Sequence, residues 1–127
     1  MLTWLTANGK YKLKFDLQSR KNGNWYYAEY STFRVLPEAQ NFKLQVAGYS
    51  RNAGGDAFKY HNGHMFSTYD RDNDKWSGNC AEYYGGGFWH NHCFRCGVTQ
   101  SPAVQFYWSG LPGGEKLQES RMWLQCK

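Results

Sequence analysis

The sequence predicts a single domain in which antiparallel strands carry a long, irregular, loop-rich segment. Two observations predict it. The stretch YKLKFDL (11–17) alternates apolar and polar residues at period two, and Asn22-Gly23 then supplies a strong hairpin turn. The 127 residues also hold 6 Trp, 10 Tyr, 8 Phe and 14 Gly, with few long aliphatic runs, a composition that favours strands and loops over a helical bundle. A chain of this length is expected to bury one modest core.

The elements follow in order. YKLKFDL forms the first strand, KNGNW (21–25) turns, and WYYAEYSTFRV (25–35) forms a second strand rich in aromatic and β-branched residues. Pro37 to Asn41 turn again, and FKLQVAGY (42–49) returns as a third strand, completing a meander. Residues 50–93 then lose regularity and contain all four histidines. A loop-rich stretch of this length is expected to hold a site or to be stapled. AVQFYW (103–108), the turn SGLPGG (109–114) and EKLQESRMWLQ (115–125) close the chain, the last as a strand that can return to the first sheet.

Charge and composition exclude several functions. The formal charge is +5, but Lys10, Lys12 and Lys14 alternate with apolar residues, as on a solvated sheet face. No nucleic-acid motif accompanies them, so no nucleic-acid partner is expected. No stretch of 18 apolar residues is present, so no membrane insertion is expected. There is no nucleophile elbow, HExxH or phosphate loop, and the chain reads as a non-enzyme. His61 and His64, around HNGH, read as a surface turn. His90 reads as lining a pocket rim or facing water. Trp89 reads as a core aromatic, and Gly85, Gly86 and Gly87 permit a tight backbone path.

Two constellations carry chemistry. Asp70, Asp72 and Asp74 alternate in DRDNDKWSG, where ionised carboxylates repel one another unless water or a hard cation separates them. A solvated turn and a calcium loop both fit. An EF-hand does not: from Asp70 the required Gly and Glu positions hold Lys75 and Ala81, and from Asp72 they hold Ser77 and Tyr83. The second constellation is Cys80, Cys93, Cys96 and Cys126. Four cysteines in a short, glycine-rich chain suggest disulfides and an oxidising compartment. The CxxC at 93–96, with His90 and His92 nearby, also allows zinc, and free or redox thiols remain open.

The segment FSTYDRDNDKWSGNCAEYYGGGFWHNHC (66–93) closely resembles the signature of the fibrinogen-related domain, the globular domain of fibrinogen chains, ficolins, tachylectins, tenascins and angiopoietins. AEYSTFRVLPEAQNFKLQVAGYSRNAGGDAF (28–58) resembles the family's upstream run, and EKLQESRMWLQ its final strand more weakly. The resemblance implies an α+β fold with a twisted antiparallel sheet (residues 1–65 and 109–127) and a loop-rich calcium and ligand subdomain (66–108). It implies a partial domain over 1–127, with the family's N-terminal subdomain missing and the segment after Cys93 shortened. Association as a homo-oligomer or with the missing subdomain, through Trp4 and Leu5, is then expected.

Carried onto this chain, the resemblance implies one Ca2+ held by the carboxylates of Asp72 and Asp74 and the carbonyls of Trp76 and Gly78, with Asp70 orienting the loop. It implies a Cys80–Cys93 disulfide, and it leaves Cys96 and Cys126 to pair with each other. It implies a cis peptide between His92 and Cys93, whose N–H groups face a small pocket walled by Tyr84 and Phe94; the family's other walls come from the shortened segment, where Tyr107 or Phe106 is the candidate substitute. Phe94 stands where family members often have histidine. The implied function is secreted, extracellular, calcium-dependent lectin-like binding of N-acetylated glycans. The alternatives are a module that binds a protein receptor in adhesion, coagulation or signalling, and a structural module with no ligand of its own.

Overall fold

The computed structural model describes Thr6, residues 11–98 and residues 106–126. Trp4 and Leu5 lie outside the described residues, as do the first three residues of AVQFYW. Four antiparallel strands form one sheet in the order β3-β2-β1-β4: β1 (Tyr11–Ser19), β2 (Trp25–Val35), β3 (Leu44–Arg51) and β4 (Leu117–Cys126). The meander and the returning last strand predicted from the sequence are therefore present. β1 alternates as its sequence does, with Leu13, Phe15 and Leu17 buried beneath the sheet.

The other face is wet. Lys12 Nζ lies 2.8 Å from Glu29 Oε1, and Lys14 and Arg51 approach the same carboxylate at 3.7 and 3.4 Å. The hydrogen bond from Lys12 holds the Glu29 carboxyl below its ordinary range. The basic alternation of β1 thus serves an ion-pair cluster on a solvated sheet face.

Two departures from simple alternation have local causes. In β2 the buried set runs Ala28 and Tyr30, then changes phase to Phe33 and Val35. β3 changes phase with it at Gly48, whose φ is +76°. A Cβ there would collide with Ser31 Oγ and would be strained at that φ, so the position favours glycine. β3 also starts at Leu44 rather than Phe42, because Asn41 and Phe42 both have φ of 54°, outside strand geometry.

The loop-rich half covers the buried sheet face with rings. Phe58 sits at the centre, 5.1 Å from Phe15, 5.5 Å from Tyr30, 5.9 Å from Phe88 and 6.0 Å from Trp89 between ring centroids. Trp108 packs on Phe15 at 5.2 Å. Trp89 is a core residue, its Nε1–H donating to the Phe42 carbonyl at 2.9 Å. A smaller cluster of Cys80, Cys93 and Phe94 lies apart from this core.

Cys80 and Cys93 are joined in a disulfide with Cα atoms 5.5 Å apart. Those thiols are therefore not zinc ligands. Cys96 and Cys126 are both free, and the pairing expected between them does not form. Cys96 bridges to Trp108, and the adjacent Tyr107 bridges to Lys116, next to the start of β4. Cys126 ends β4 opposite Tyr11. The run from Leu117 to Cys126 spans about 30 Å at the rise of an extended strand, whereas a disulfide needs Cα atoms within about 7 Å.

The free cysteines should also differ in reactivity. Cys96 is fully buried, and burial pushes its thiol well above the ordinary range, while Cys126 is exposed. Native alkylation followed by peptide mass mapping should modify Cys126 quickly and Cys96 only after denaturation. A cross-linked Cys96–Cys126 peptide, or native labelling of Cys96, would contradict this arrangement.

Candidate functional site

The site grows from three loops tied together by backbone hydrogen bonds. The first runs from Phe66 to Gly78. Its alternate side chains have different tasks. Asn73 anchors the loop inward: its Nδ2 donates to the Phe66 carbonyl at 3.0 Å and its N–H to Ser67 Oγ at 2.9 Å. Asp70 Oδ1 accepts from Thr68 Oγ1 at 2.7 Å, on the loop's entry side. Asp74 accepts from the N–H of Trp76 and of Cys80, both at 2.9 Å, one on each carboxylate oxygen. Asp72 Oδ1 accepts from Asp74 N–H at 3.2 Å.

Asp72 and Asp74 are thus brought together while Asp70 is directed elsewhere. Burial pushes the Asp74 carboxyl up, its bonds to the Cys80 and Trp76 N–H groups oppose that, and the adjacent Asp72 carboxylate pushes it further up. Among the described residues the carbonyls of Trp76 and Gly78 accept no hydrogen bond. The Trp76 ring folds back over Gly78, and a Cβ there would lie 2.8 Å from it. Two adjacent carboxylates and two open carbonyls make an all-oxygen donor set, which suits a hard cation and not zinc. Among the described residues no group of three His, Cys, Asp or Glu side chains converges as a metal site.

The second loop element is α1 (Cys80–Tyr84). Asn79 caps it by accepting from Glu82 N–H at 3.1 Å, and Gly85 ends it with φ of +80°. This turn presents Tyr84 toward the third loop.

The third loop, 88–96, holds the cis peptide between His92 and Cys93. Trp76, Tyr84, His92, Cys93, Phe94 and Tyr107 line one open cleft of about 250 Å³. Tyr84, His92, Cys93, Phe94 and Tyr107 thus border the same cleft, whereas Phe106, the alternative wall, packs against the main core. Tyr84 and Tyr107 stand 4.9 and 5.7 Å from Phe94 between ring centroids. Burial pushes the Tyr107 hydroxyl up to about 12, and it donates to the Phe94 carbonyl at 2.9 Å. Among the described residues the N–H groups of His92, Cys93 and Phe94 donate to nothing. The cleft therefore offers aromatic walls and open backbone donors.

Histidines reading as surface residues prove otherwise. His61 is fully buried, not on a surface turn. Its Nδ1 lies 2.9 Å from the Trp89 carbonyl, so that nitrogen carries the proton, while Nε2 accepts from Arg95 N–H at 3.1 Å. His90 is also fully buried and faces neither water nor an open rim. Its Nε2 lies 2.9 Å from the Gly86 carbonyl and its ring 5.9 Å from Phe94. His61, Tyr60, Arg95 and the side chain of Trp76 were not singled out by the sequence for these places. The available signal was one: His61 follows buried Phe58 at helical spacing, just before the Asn62-Gly63 turn.

Comparison with known proteins fits this geometry. The family model for the C-terminal globular domain of fibrinogen beta and gamma chains matches residues 1–123. The chain belongs to that family, and its fold is the α+β fibrinogen-type fold with a twisted antiparallel sheet. It is 47% identical over 121 residues to angiopoietin-related protein 2 of human and of mouse, covering 87% of this chain and 24% of each relative. It is 42% identical to mouse tenascin over 117 residues, 86% of this chain and 5% of that protein. The chain thus spans about a quarter of the angiopoietin-related proteins it matches.

Among solved structures, the fibrinogen-like globe domain of human ANGPTL2 superposes with a TM-score of 0.85 at 35% identity, covering 98% of this chain and 62% of that one. Lamprey fibrin D-dimer, in complex with the peptide ligand Gly-His-Arg-Pro-amide, gives 0.82 at 26% identity, covering 97% and 47%. These relatives are secreted, non-catalytic recognition and adhesion proteins. The chain is accordingly an extracellular recognition module and not an enzyme. Among the described residues no helix is long and apolar enough to cross a membrane.

His61 gives the site a pH dependence. Burial lowers its folded pKa to about 3, against an ordinary 6.5. A depressed folded pKa means the unfolded chain binds the proton first, so this group's contribution is fully present above pH 6.5 and is lost as pH falls toward 3. Each pH unit inside that window should cost about 1.4 kcal/mol. Urea unfolding at pH 6, 5 and 4 should show a slope in the natural protein steeper by that amount than in His61→Gln, where burial of His64 and His90 still leaves a residual slope of the same sign. Equal slopes in the two proteins would assign the acid sensitivity elsewhere.

Proposed function

We propose that this extracellular module recognises a protein partner, taking a peptide segment into the aromatic cleft beside a calcium-bound Asp72–Gly78 loop. The observation that carries the reading is the cleft lining. Its walls are rings, its open donors are backbone N–H groups, and the Tyr107 hydroxyl is already committed to the Phe94 carbonyl. A peptide carbonyl can accept from the donors while apolar atoms lie on Tyr84 and Phe94. Tyr84, His92 and Trp76 also bring polar side-chain groups to the lining, but the Tyr107 hydroxyl is not among those free to bind a ligand. The relatives support the same choice: angiopoietin-related proteins, tenascin, and a fibrin domain solved with a bound peptide.

Calcium would shape the cleft without touching the ligand. Asp72 and Asp74 would supply carboxylates, Trp76 and Gly78 carbonyls, and water the rest. The cation would relieve the repulsion between the two carboxylates, and the Trp76 ring links the calcium loop to the cleft, 6.1 Å from the His92 ring. Lectin-like binding of an N-acetylated glycan is the second reading. It is favoured by the same open N–H groups next to the rings, which suit an acetamide.

Calorimetry should detect one calcium ion per chain. Calcium at a hundredfold excess over Kd should stabilise the fold by about 2.7 kcal/mol. Asp72→Ala should remove that gain, and Asp70→Ala should retain most of it. No heat at millimolar calcium would dismiss the ion. For the cleft, amide NMR should follow titrations with N-acetylglutamine methylamide, N-acetylglucosamine and glucosamine. Tighter binding of the peptide fragment, with shifts at Tyr84, Cys93 and Tyr107, supports protein recognition. Tighter binding of the acetylated sugar would favour the lectin reading instead.

A further inference from the structure

A second cleft, of about 460 Å³, opens beside the aromatic one and is lined by Asp56, Lys59, Tyr60 and Arg95 among others. We infer that it is a carboxylate-binding subsite, which seats an acidic side chain of the same peptide segment that occupies the aromatic cleft. The inference rests on the protein-recognition reading and specifies the chemistry of its partner.

The charge is unspent. Neither Lys59 nor Arg95 forms an ion pair with a carboxylate among the described residues. The one acid in the cleft is otherwise engaged: Asp56 Oδ1 accepts from the Tyr30 hydroxyl at 2.6 Å and from Lys59 N–H at 2.9 Å. Two cations against one carboxylate leave a single positive charge. That balance suits a monoanion better than a phosphate dianion.

Arg95 is also prepared for the task. Its N–H donates to buried His61 and its carbonyl accepts from Ser109 N–H at 2.9 Å, so its backbone is held from two sides. Its guanidinium lies over the Tyr60 ring, 4.5 Å from the centroid. Stacking by one face leaves the edge N–H groups free to form the paired hydrogen bonds that a planar carboxylate accepts. An arginine ordered before binding loses less side-chain freedom on capture.

The two clefts are lined by consecutive residues of one loop. Phe94 faces one and Arg95 the other, and consecutive Cα atoms are about 3.8 Å apart. The Tyr60 hydroxyl donates to the His92 carbonyl at 3.0 Å, fixing the second cleft against the first. A ligand of one or two residues can therefore place an amide in the aromatic cleft and a carboxylate on Arg95.

The test compares N-acetylglutamate methylamide with N-acetylglutamine methylamide in millimolar calcium, followed by backbone amide and arginine Nε–H NMR. The acid should bind about tenfold tighter and should alone shift the Arg95 Nε–H. Arg95→Gln and Lys59→Gln, both surface changes, should each remove most of that gain and leave the glutamine probe unaffected. Equal affinities with shifts at Phe94 and Cys93 would overturn the subsite and leave the recognition reading standing. An Arg95 response without any shift at Phe94 or Cys93 would uphold the anion site and overturn the aromatic cleft. Silence with both probes would overturn both. If N-acetylglucosamine 6-sulfate gains tenfold over N-acetylglucosamine while the glutamate probe gains nothing, the anion is a glycan sulfate and the peptide assignment fails.

Discussion

The loop-rich half depends on the neutral, buried imidazole of His61. It donates to the Trp89 carbonyl on one side and accepts the Arg95 N–H on the other. A protonated ring could not accept that second bond. Both partners belong to the loop that carries the cis peptide, and His61 itself follows Phe58 in the hub of the core. Sheet packing is thereby transmitted to the recognition loop through one ring. Few regular hydrogen bonds exist in this region to do the same work. A side chain with a donor and an acceptor on opposite edges replaces the ladder that the loops lack.

The same economy explains the aspartate loop. A loop of this kind has backbone groups that no sheet or helix satisfies, so its own side chains must do so. Asn73 and Asp74 bond inward to the chain, Asp70 to Thr68, and Asp72 is left facing its neighbour. The split between bonded and exposed carboxylates thus runs within one set of alternate positions, unlike β1, where alternation divides core from solvent. The disulfide then closes this loop and α1 onto the third loop, through a cluster separate from the main core.

The strands were legible because period-two burial writes itself into residue type. The alternation of YKLKFDL by itself places Leu13, Phe15 and Leu17 inside and Lys12 and Lys14 outside. The end of β3 that begins at Leu44 was less legible, because the positive φ at Phe42 is not announced by a phenylalanine. α1 is five residues long, too short for a periodic signal, although Asn79 and Glu82 form its capping pair. In the loops, legibility came from resemblance rather than from pattern, and it reached the residues bordering the aromatic cleft. It did not reach His61, Arg95 or Tyr60, because long-range contacts between loops leave no periodic trace. The proposed Cys96–Cys126 bond shows the limit of counting cysteines: parity suggested a partner, and the length of β4 forbids it.

The segment from His92 to Arg95 concentrates these constraints in four residues. Cys93 is fixed by the disulfide, Arg95 by His61 and Ser109, and the carbonyls of His92 and Phe94 by the hydroxyls of Tyr60 and Tyr107. Its carbonyls are thus used internally while the N–H groups of His92, Cys93 and Phe94 stay open. A backbone stretch whose carbonyls already accept hydrogen bonds and whose N–H groups are open has a polarity, and it favours acceptor groups. Carbonyl and carboxylate oxygens match that polarity. The direction of hydrogen bonding within the loop is therefore set by residues outside it.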